Sequence, residues 1–376
     1  MEDRSQVFFT SMRTEHGESI PSKLTRLVQR AGLEKLDLEG KYVAIKTHFG
    51  ELGNVSYLRP VYARTLVEEV KRLGGKPFLT DCNTLYVGKR ANALDHLVCA
   101  EMNGFNSLSC GCPIIIADGI RGSDEVDLPV PGENTVLDVA HIGRAIADAD
   151  VLITLTHAKG CQASGFAATL KNLAMGCGSR AGKAFQHLRG IPAIDEERCI
   201  GCGKCIPACG QNAIERVDGH SHINENCLGC GHCIPYCPLA IIKPRERNSG
   251  HDIQIRMAEY AAAVVASKPQ QCFFVSIATD ITPMCDCFTD NDAPIVPNVG
   301  MFASFDPVAI DQASADAICA QPINAGTLLD ELKENVAAGT DHWDTVHPSA
   351  EWKLQLEHAE ELGIGTRAYD LVKVGH

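Results

Sequence analysis

The chain has 376 residues, 45% of them hydrophobic and 22% charged, which is enough for more than one domain and a full core without covalent staples. A formal net charge of −13 and the lack of any Lys/Arg tract argue against a nucleic-acid or anionic-membrane surface. No segment reaches the roughly 18 uninterrupted apolar residues of a membrane span, and the first residues carry no signal-peptide run. The expected location is therefore the cytoplasm, where clustered cysteines serve as metal ligands or catalysts rather than cross-links.

Taken in chain order, short apolar runs alternate with amphipathic segments, the pattern of parallel strands joined by helices. The first predicted strand is Lys41–Phe49, with Thr47, His48 and Glu51 at its end. A crossover helix follows, opened by Pro60, with Val61, Ala63, Leu66, Val67, Val70 and Leu73 at helical spacing and Gly74 as its stop. Lys76–Asp81 is the next strand, succeeded by Asn83, Thr84, Tyr86, Arg90 and His96. Pro113–Asp118 is a third strand, Leu137–Ala149 a helix, and Asp150–His157 a fourth strand leading to Lys159 and Cys161.

The segment His157–Lys183 combines Lys159, Lys171, Arg180 and Lys183 with two cysteines and many small residues. It is not a P-loop, because Cys177 stands where the first glycine is required and Ala184 lacks the hydroxyl that holds magnesium. Its glycines and cations nonetheless suit a carboxylate or phosphate. No Gly-x-Gly-x-x-Gly follows a suitable first strand, so no flavin or nicotinamide fingerprint is visible.

Two matching runs come next, CIGCGKCIPACG from Cys199 and CLGCGHCIPYCP from Cys227, each spaced Cys-x2-Cys-x2-Cys-x3-Cys. Zinc usually draws its tetrahedron from two separated Cys-x2-Cys pairs, whereas three sulfurs on one tight loop suit a cubane. In this bacterial iron–sulfur pattern the fourth Cys of each run serves the opposite cluster. Cys199, Cys202, Cys205 and Cys237 then hold one 4Fe-4S cluster, and Cys227, Cys230, Cys233 and Cys209 hold the other. Pro238 follows its cysteine as the pattern expects, while Gly210 replaces the usual proline in the first run. The segment resembles a bacterial two-cluster ferredoxin.

After the cysteine block come a helix at Asp252–Ser267, a strand at Gln271–Asp280, and helices at Pro307–Ala320 and Gly326–Ala337. The last 40 or so residues, with Trp343 and Trp352, are expected to pack on the body. The predicted fold class is α/β, a mostly parallel sheet with helices on both faces, interrupted by an inserted α+β two-cluster ferredoxin-like module. Residues 1–190 and 245–376 form the discontinuous α/β domain, and residues 191–244 the insert.

Of the cysteines outside the two runs, Cys82, Cys99, Cys272 and Cys319 read as core, and Cys110 and Cys112 as surface thiols. Cys285 and Cys287 in TPMCDCFTD stand on a loop after a predicted strand, where an α/β sheet presents reactive groups. Three readings compete for this pair: a third iron–sulfur or metal centre completed by Cys177, or by Cys161 with His157; a redox-active thiol pair; and an inert pair.

KTHFGELGNVSYLRP, LTDCNTLYVGKRANALDHL, PIIIADG, GFAATLKNLAMGCGSRAGK, MCDC and PIVPNVGMFASFDPVAID together resemble the uncharacterised domain family 362, in the branch that carries an inserted ferredoxin module. The resemblance implies an iron–sulfur protein of a largely anaerobic prokaryote. It also implies a second aromatic and a second His around Lys159, where this sequence has HAKGC, so that Cys161 replaces that His as ligand or proton donor or the role is lost here.

The function expected from the sequence is that of an iron–sulfur oxidoreductase. A soluble electron-donor protein feeds two 4Fe-4S clusters, which feed a site at the strand ends between His157–Lys183 and Cys285–Cys287. Lys159 and Lys171 are the candidates for binding a small anionic substrate, and His157, His48 and His96 for proton donation. Asp81, Arg90, Arg180 and Lys183 are the candidates for holding a cofactor. The alternatives are an electron-relay binding protein for a partner enzyme and a metal- or cofactor-assembly factor.

Overall fold

A computed structural model describes residues 4–375 apart from 86–87, 208, 210–211, 228–232, 234–236, 240, 248–249 and 336–339. The strands in chain order are β1 Ser5–Ser11, β2 Tyr42–Lys46, β3 Lys76–Asp81, β4 Ile114–Ile116, β5 Glu125–Pro129, β6 Val139–Gly143, β7 Val151–His157 and β8 Lys159–Cys161. They continue with β9 Gly165–Ala167, β10 Leu188–Ile194, β11 Ile214–Val217, β12 His220–Ile223, β13 Ile242–Arg247, β14 Cys272–Ala278, β15 Gly300–Ser304 and β16 Tyr369–Lys373. Eight of these form the central sheet in the order β16-β1-β15-β14-β7-β2-β3-β4. Both of β15's pairings are antiparallel and every other pairing is parallel, so β15 alone runs against the rest.

This is the mostly parallel α/β sheet that the apolar runs predict, and burial on both faces is the reason for those runs. Along β7, Val151 and Ile153 pack into one core and Leu152 into the other; along β14, Phe273 and Val275 face one way and Phe274 the other. One face carries the helices Ile20–Arg30 and Pro60–Arg72, the other Thr169–Cys177, Gly250–Ala266 and Pro307–Cys319. Trp343 and Trp352 pack on Phe166 in the second of these cores, with ring centroids 5.2 and 5.7 Å away. β16 adds the outermost strand beside β1.

The chain order places a topological switch between β2 and β7. β2 leads outward to β3 and β4, and the chain then returns to lay β7 on the other side of β2. The crevice beyond the carboxyl ends of two such strands is where open α/β sheets bind ligands.

Several expectations need correction. Residues 137–149 are not one helix: Val139–Gly143 alternates as a strand paired with β5, and only Arg144–Asp148 is helical. A Cβ at Gly143 would stand 2.6 Å from the Cys82 sulfur, so the backbone here lies flat against the sheet end. Cys110 and Cys112 are buried in the core beneath Pro60–Arg72 rather than at the surface. The helix expected over Gly326–Ala337 reduces to Leu328–Leu332 with a 3-10 turn at Lys333–Asn335, and its end lies outside the described residues. Among the described residues, no helix is long and apolar enough to cross a membrane.

The cysteine-rich segment leaves the body after the helix Arg180–His187 and rejoins it at Gly250–Ala266. β10 and β13 pair antiparallel at its base, and β11 and β12 form a hairpin. Cys205, Cys233, Ile214 and Ile242 make a small core separate from those of the body.

Candidate functional site

A cavity of about 100 Å³ opens at the switch point. Lys46, Thr47 and His48 line it from the end of β2, Asp81 from β3, and His157 and Lys159 from β7. Cys285, Asp286 and Cys287 line it from the loop after β14, and the helix Thr169–Cys177 covers it with Lys171, Asn172 and Gly176. The helix packs closely, since a Cβ at Gly176 would lie 2.5 Å from the Lys46 ammonium.

Ion pairs arrange the β2–β3 side. Lys46 Nζ, fully buried, donates to Asp81 Oδ1 at 2.9 Å and to Asn172 Oδ1 at 2.8 Å. Arg90 donates to Glu51 Oε2 at 3.2 Å and faces Asp81 Oδ2 at 3.9 Å, while its Nη2 is buried without a hydrogen-bond partner among the described residues. Burial pushes the Asp81 carboxyl up, but Lys46, His48, His96 and Lys183 together hold it well below the usual carboxylate range. His48 has the Gly50 amide at Nδ1 and Arg90 Nη1 at Nε2. Burial first, and Arg90 second, lower its pKa to about 3, so the ring is neutral at pH 7.

The thiols occupy the opposite wall. A turn closed by Phe288 N donating to Cys285 O at 3.1 Å folds Cys287 back, and its Sγ lies 3.0 Å from that of Cys285. Cys161, at the end of β8, packs against both. Lys171 Nζ stands 2.7 Å from Cys161 Sγ and 3.4 Å from Cys285 Sγ. Hydrogen bonds from the Cys161 and Cys287 thiols, followed by the charges of Lys159 and Lys171, hold Cys285 well below the usual thiol range despite its burial. The same hydrogen bond, together with burial, pushes Cys161 up to about 12, and Cys287 is raised likewise. Burial would lower Lys171, but the facing sulfurs of Cys161, Cys285 and Cys287 raise it. The arrangement gathers three sulfurs round one ammonium, with Cys285 the sulfur whose thiol is lowered and the other two raised.

Backbone contacts fix this geometry. Gly160 N donates to Thr282 O at 2.9 Å, and Cys285 N to Gln162 Oε1 at 3.3 Å. A Cβ at Gly160 would come within 2.5 Å of Pro283 O, so only glycine lets β8 lie against that loop. His157 donates from Nδ1 to Asp286 Oδ2 at 2.8 Å and from Nε2 to Thr279 O at 2.6 Å. Lys159 Nζ is 3.9 Å from the same carboxylate.

Several predicted residues fall elsewhere. His157 is committed on both ring nitrogens as a brace for Asp286. His96 is fully buried behind Asp81, 3.8 Å from Oδ2 and edge-on to Phe49, and does not line the cavity. Arg180 spends its guanidinium on the carbonyls of Thr84, Arg121 and Ala91. Lys183 does line the cavity, with Nζ donating to Gly178 O at 2.7 Å. Cys177 is buried at the end of its helix, its thiol directed at Asn172 O and pushed up to about 11 by burial, and Cys161 is the cysteine that joins Cys285. Tyr86 lies outside the described residues. Lys46, Asn172 and Glu51 acquire roles only through contacts distant in sequence.

In the cysteine-rich segment, Cys199, Cys202, Cys205 and Cys237 line one cavity with Ile194, Ile200, Leu239, Ile241 and Ile242. Ser221 N points at Cys199 Sγ at 3.4 Å, and Ala213 N at Cys209 Sγ at 3.2 Å. The Ser221 amide is the main reason the Cys199 thiol sits below its usual range. Cys233 is buried and Cys227 partly so, while Cys230 lies outside the described residues. Among the described residues, the one trio of ligand-type atoms within 4.8 Å of one another is Glu125, Asp127 and His141, on the β5–β6 hairpin.

Fold and pocket thus define an α/β protein with a thiol–lysine site at the switch point of its sheet. The chain belongs to the family described as a domain of unknown function (DUF362), whose model matches residues 43–316. No curated protein matches it in sequence. Among solved structures it is similar to the lactate racemase apoprotein from Thermoanaerobacterium thermosaccharolyticum, at 12% identity and a TM-score of 0.39, over 73% of this chain and 51% of that one. It is also similar to a protein from Thermotoga maritima at 10% identity and a TM-score of 0.36, over 69% of this chain and 49% of that one. It therefore spans half or a little less of the length of the second structure and about half of the first.

Two outcomes follow from this geometry. Alkylation of Cys285 by iodoacetamide, followed by mass spectrometry of its peptide, falls less steeply between pH 8 and pH 6 than that of an ordinary thiol of pKa about 8.5, which slows roughly tenfold per unit. Lys171→Met moves the profile part of the way toward that slope; a wild-type profile with the ordinary slope contradicts the lowered thiol. Gly160→Ala, which overpacks the β8 contact, lowers stability by about 1–3 kcal/mol in denaturant titration and gives Cys285 the reactivity of an isolated thiol; unchanged reactivity removes Pro283 and Gly160 as the positioning contact.

Proposed function

We propose that this chain is an iron–sulfur oxidoreductase in which a soluble donor passes electrons through two 4Fe-4S clusters in the cysteine-rich segment to the pocket at the sheet's switch point. The observation that carries the reading is the convergence of Cys237 with Cys199, Cys202 and Cys205 on one cavity, although Cys237 belongs to the second run. That is the interleaving expected of a two-cluster module.

The residues fit the group. Soft thiolates surround an apolar cavity, and backbone amides of Ser221 and Ala213 point at sulfurs, the hydrogen bonds that stabilise thiolate ligands and tune a cluster. A bound 4Fe-4S cluster supplies one-electron transfer over a wide range of potentials. Ile200 and Leu239, 69% and 41% exposed, stand at the rim of the same cavity and offer a protein donor an apolar contact beside it.

In the body, Lys159 and Lys171 draw an anionic substrate toward Cys285. Asp286 holds Lys159 in place and is itself braced by His157. The pairing of Lys46 with Asp81 keeps the floor of the pocket charged and ordered. The Lys171 ammonium meets both sulfurs in the position where a third metal would have to bind them, which favours a thiol site over a third centre.

Iron and acid-labile sulfide analysis of protein purified without oxygen tests this reading. Two clusters give about eight iron per chain. Cys237→Ser lowers the count toward about four, and Cys285→Ser leaves it unchanged. Zinc in place of iron contradicts the oxidoreductase, and about twelve iron, falling in Cys285→Ser, puts a third centre on the body cysteines.

A further inference from the structure

We infer that the pocket performs thiol–disulfide exchange on a small disulfide carrying carboxylate groups, with Cys285 as the attacking sulfur and Cys287 as the resolving one. Only the later return of the couple to its dithiol form rests on the reading above.

Geometry supports the pair. The hydrogen-bonded turn from Cys285 to Phe288 brings the two sulfurs to 3.0 Å on one side of the loop, and both face the cavity. Residues two apart in such a turn fall in the Cα separation that a disulfide spans. Lys171 directs its ammonium at Cys161 from 2.7 Å and at Cys285 from 3.4 Å, among the described residues it hydrogen-bonds only sulfur, and of these two cysteines it is Cys285 that lines the cavity. Thiolate character at the attacking sulfur follows from an adjacent fixed cation.

Charge selects the substrate. Among the described residues, Lys46, Arg90, Lys159, Lys171 and Lys183 line the cavity with the carboxylates of Asp81 and Asp286, and Glu51 pairs with Arg90 behind it. The cations outnumber the carboxylates, and low-dielectric walls strengthen their combined field. A disulfide with anionic ends is attracted, and one with cationic ends repelled.

The step balances. The Cys285 thiolate attacks R–S–S–R, forming Cys285–S–S–R and releasing RS⁻. That RS⁻ takes the proton of Cys287, whose thiolate attacks the Cys285 sulfur, forms the Cys285–Cys287 disulfide and releases a second RS⁻. The substrate gains two electrons, and the two cysteines lose two. Two single electrons and one proton return the pair to thiolate and thiol, the electrons coming from the iron–sulfur side under the reading above.

The test is a single turnover on the full, cluster-loaded chain without oxygen or reductant. The probes are 3,3′-dithiodipropionate, hydroxyethyl disulfide and cystamine, of charge −2, 0 and +2. After the anionic probe, blocking and digestion, the peptide carrying Cys285 and Cys287 is expected to hold an internal disulfide, and Cys287→Ser to accumulate a mixed disulfide on Cys285. Cystamine is expected to react at least about tenfold more slowly and hydroxyethyl disulfide in between, as does the anionic probe with Lys171→Met. Full alkylation of both cysteines after the anionic probe overturns the exchange, and equal rates for the three probes overturn the selectivity. Iron content measured on the same samples separates this outcome from the cluster reading: eight iron with no exchange leaves the clusters standing, and exchange without iron leaves the thiol chemistry standing.

Discussion

Lys171 is partly buried under the helix that covers the pocket, and it meets two sulfurs instead of a carboxylate. Burial penalises an ammonium unless an anion stands beside it, and among the described residues the groups that face Lys171 are the sulfurs of Cys161, Cys285 and Cys287. Cys285 supplies that anion most readily, because its hydrogen bonds with the Cys161 and Cys287 sulfurs lower its thiol. The ammonium and the thiolate depend on each other, and the surrounding structure holds them together. β8 lies against the 282–285 loop through Gly160, Gln162 fastens Cys285 from the same side, and Asp286 locks the loop to His157 and Lys159.

The sheet explains why such a site occurs where it does. Strands buried on both faces end together, and the reversal between β2 and β7 leaves a crevice at their carboxyl ends that the helix Thr169–Cys177 roofs. Polar side chains at those ends face one crevice, where Lys46 pairs with Asp81, Arg90 with Glu51 and Lys159 with Asp286. A paired network of this kind stays ordered without a ligand, since removing one member of a buried ion pair costs about 3–5 kcal/mol. Such pre-ordering gives a small substrate a fixed set of charges to bind.

Much of the fold is legible in the sequence. Lys76–Asp81 is a strand over the residues its apolar run marks, and the runs at Asp150–His157 and Gln271–Asp280 contain two more strands of the same sheet, β7 and β14. β1, β15 and β16 are not visible in the same way. β1 and β16 lie at or beside the sheet's edge with mixed burial, and β15 is a five-residue strand reversed against its neighbours. Alternation in Val139–Gly143 was masked by flanking residues that also suit a helix. At the site, the residue types at the strand ends pointed to the crevice, but the contact of Cys161 with Cys285 joins positions more than a hundred residues apart and depends on the close approach at Gly160. Cys177, closer in type and motif to a ligand, directs its thiol at Asn172 O and does not line the cavity.

The mutual dependence of Lys171 and Cys285 is measured most directly by a double-mutant cycle. Lys171→Met, Cys285→Ala and the double variant are unfolded in denaturant at pH 7, with iron content monitored to keep the cysteine-rich segment comparable. The account predicts a coupling energy of about 1–3 kcal/mol, the second substitution costing far less once the first is made. Additivity within about 0.5 kcal/mol would mean that the two groups do not sense each other and would contradict the thiolate–ammonium pair on which the site is built.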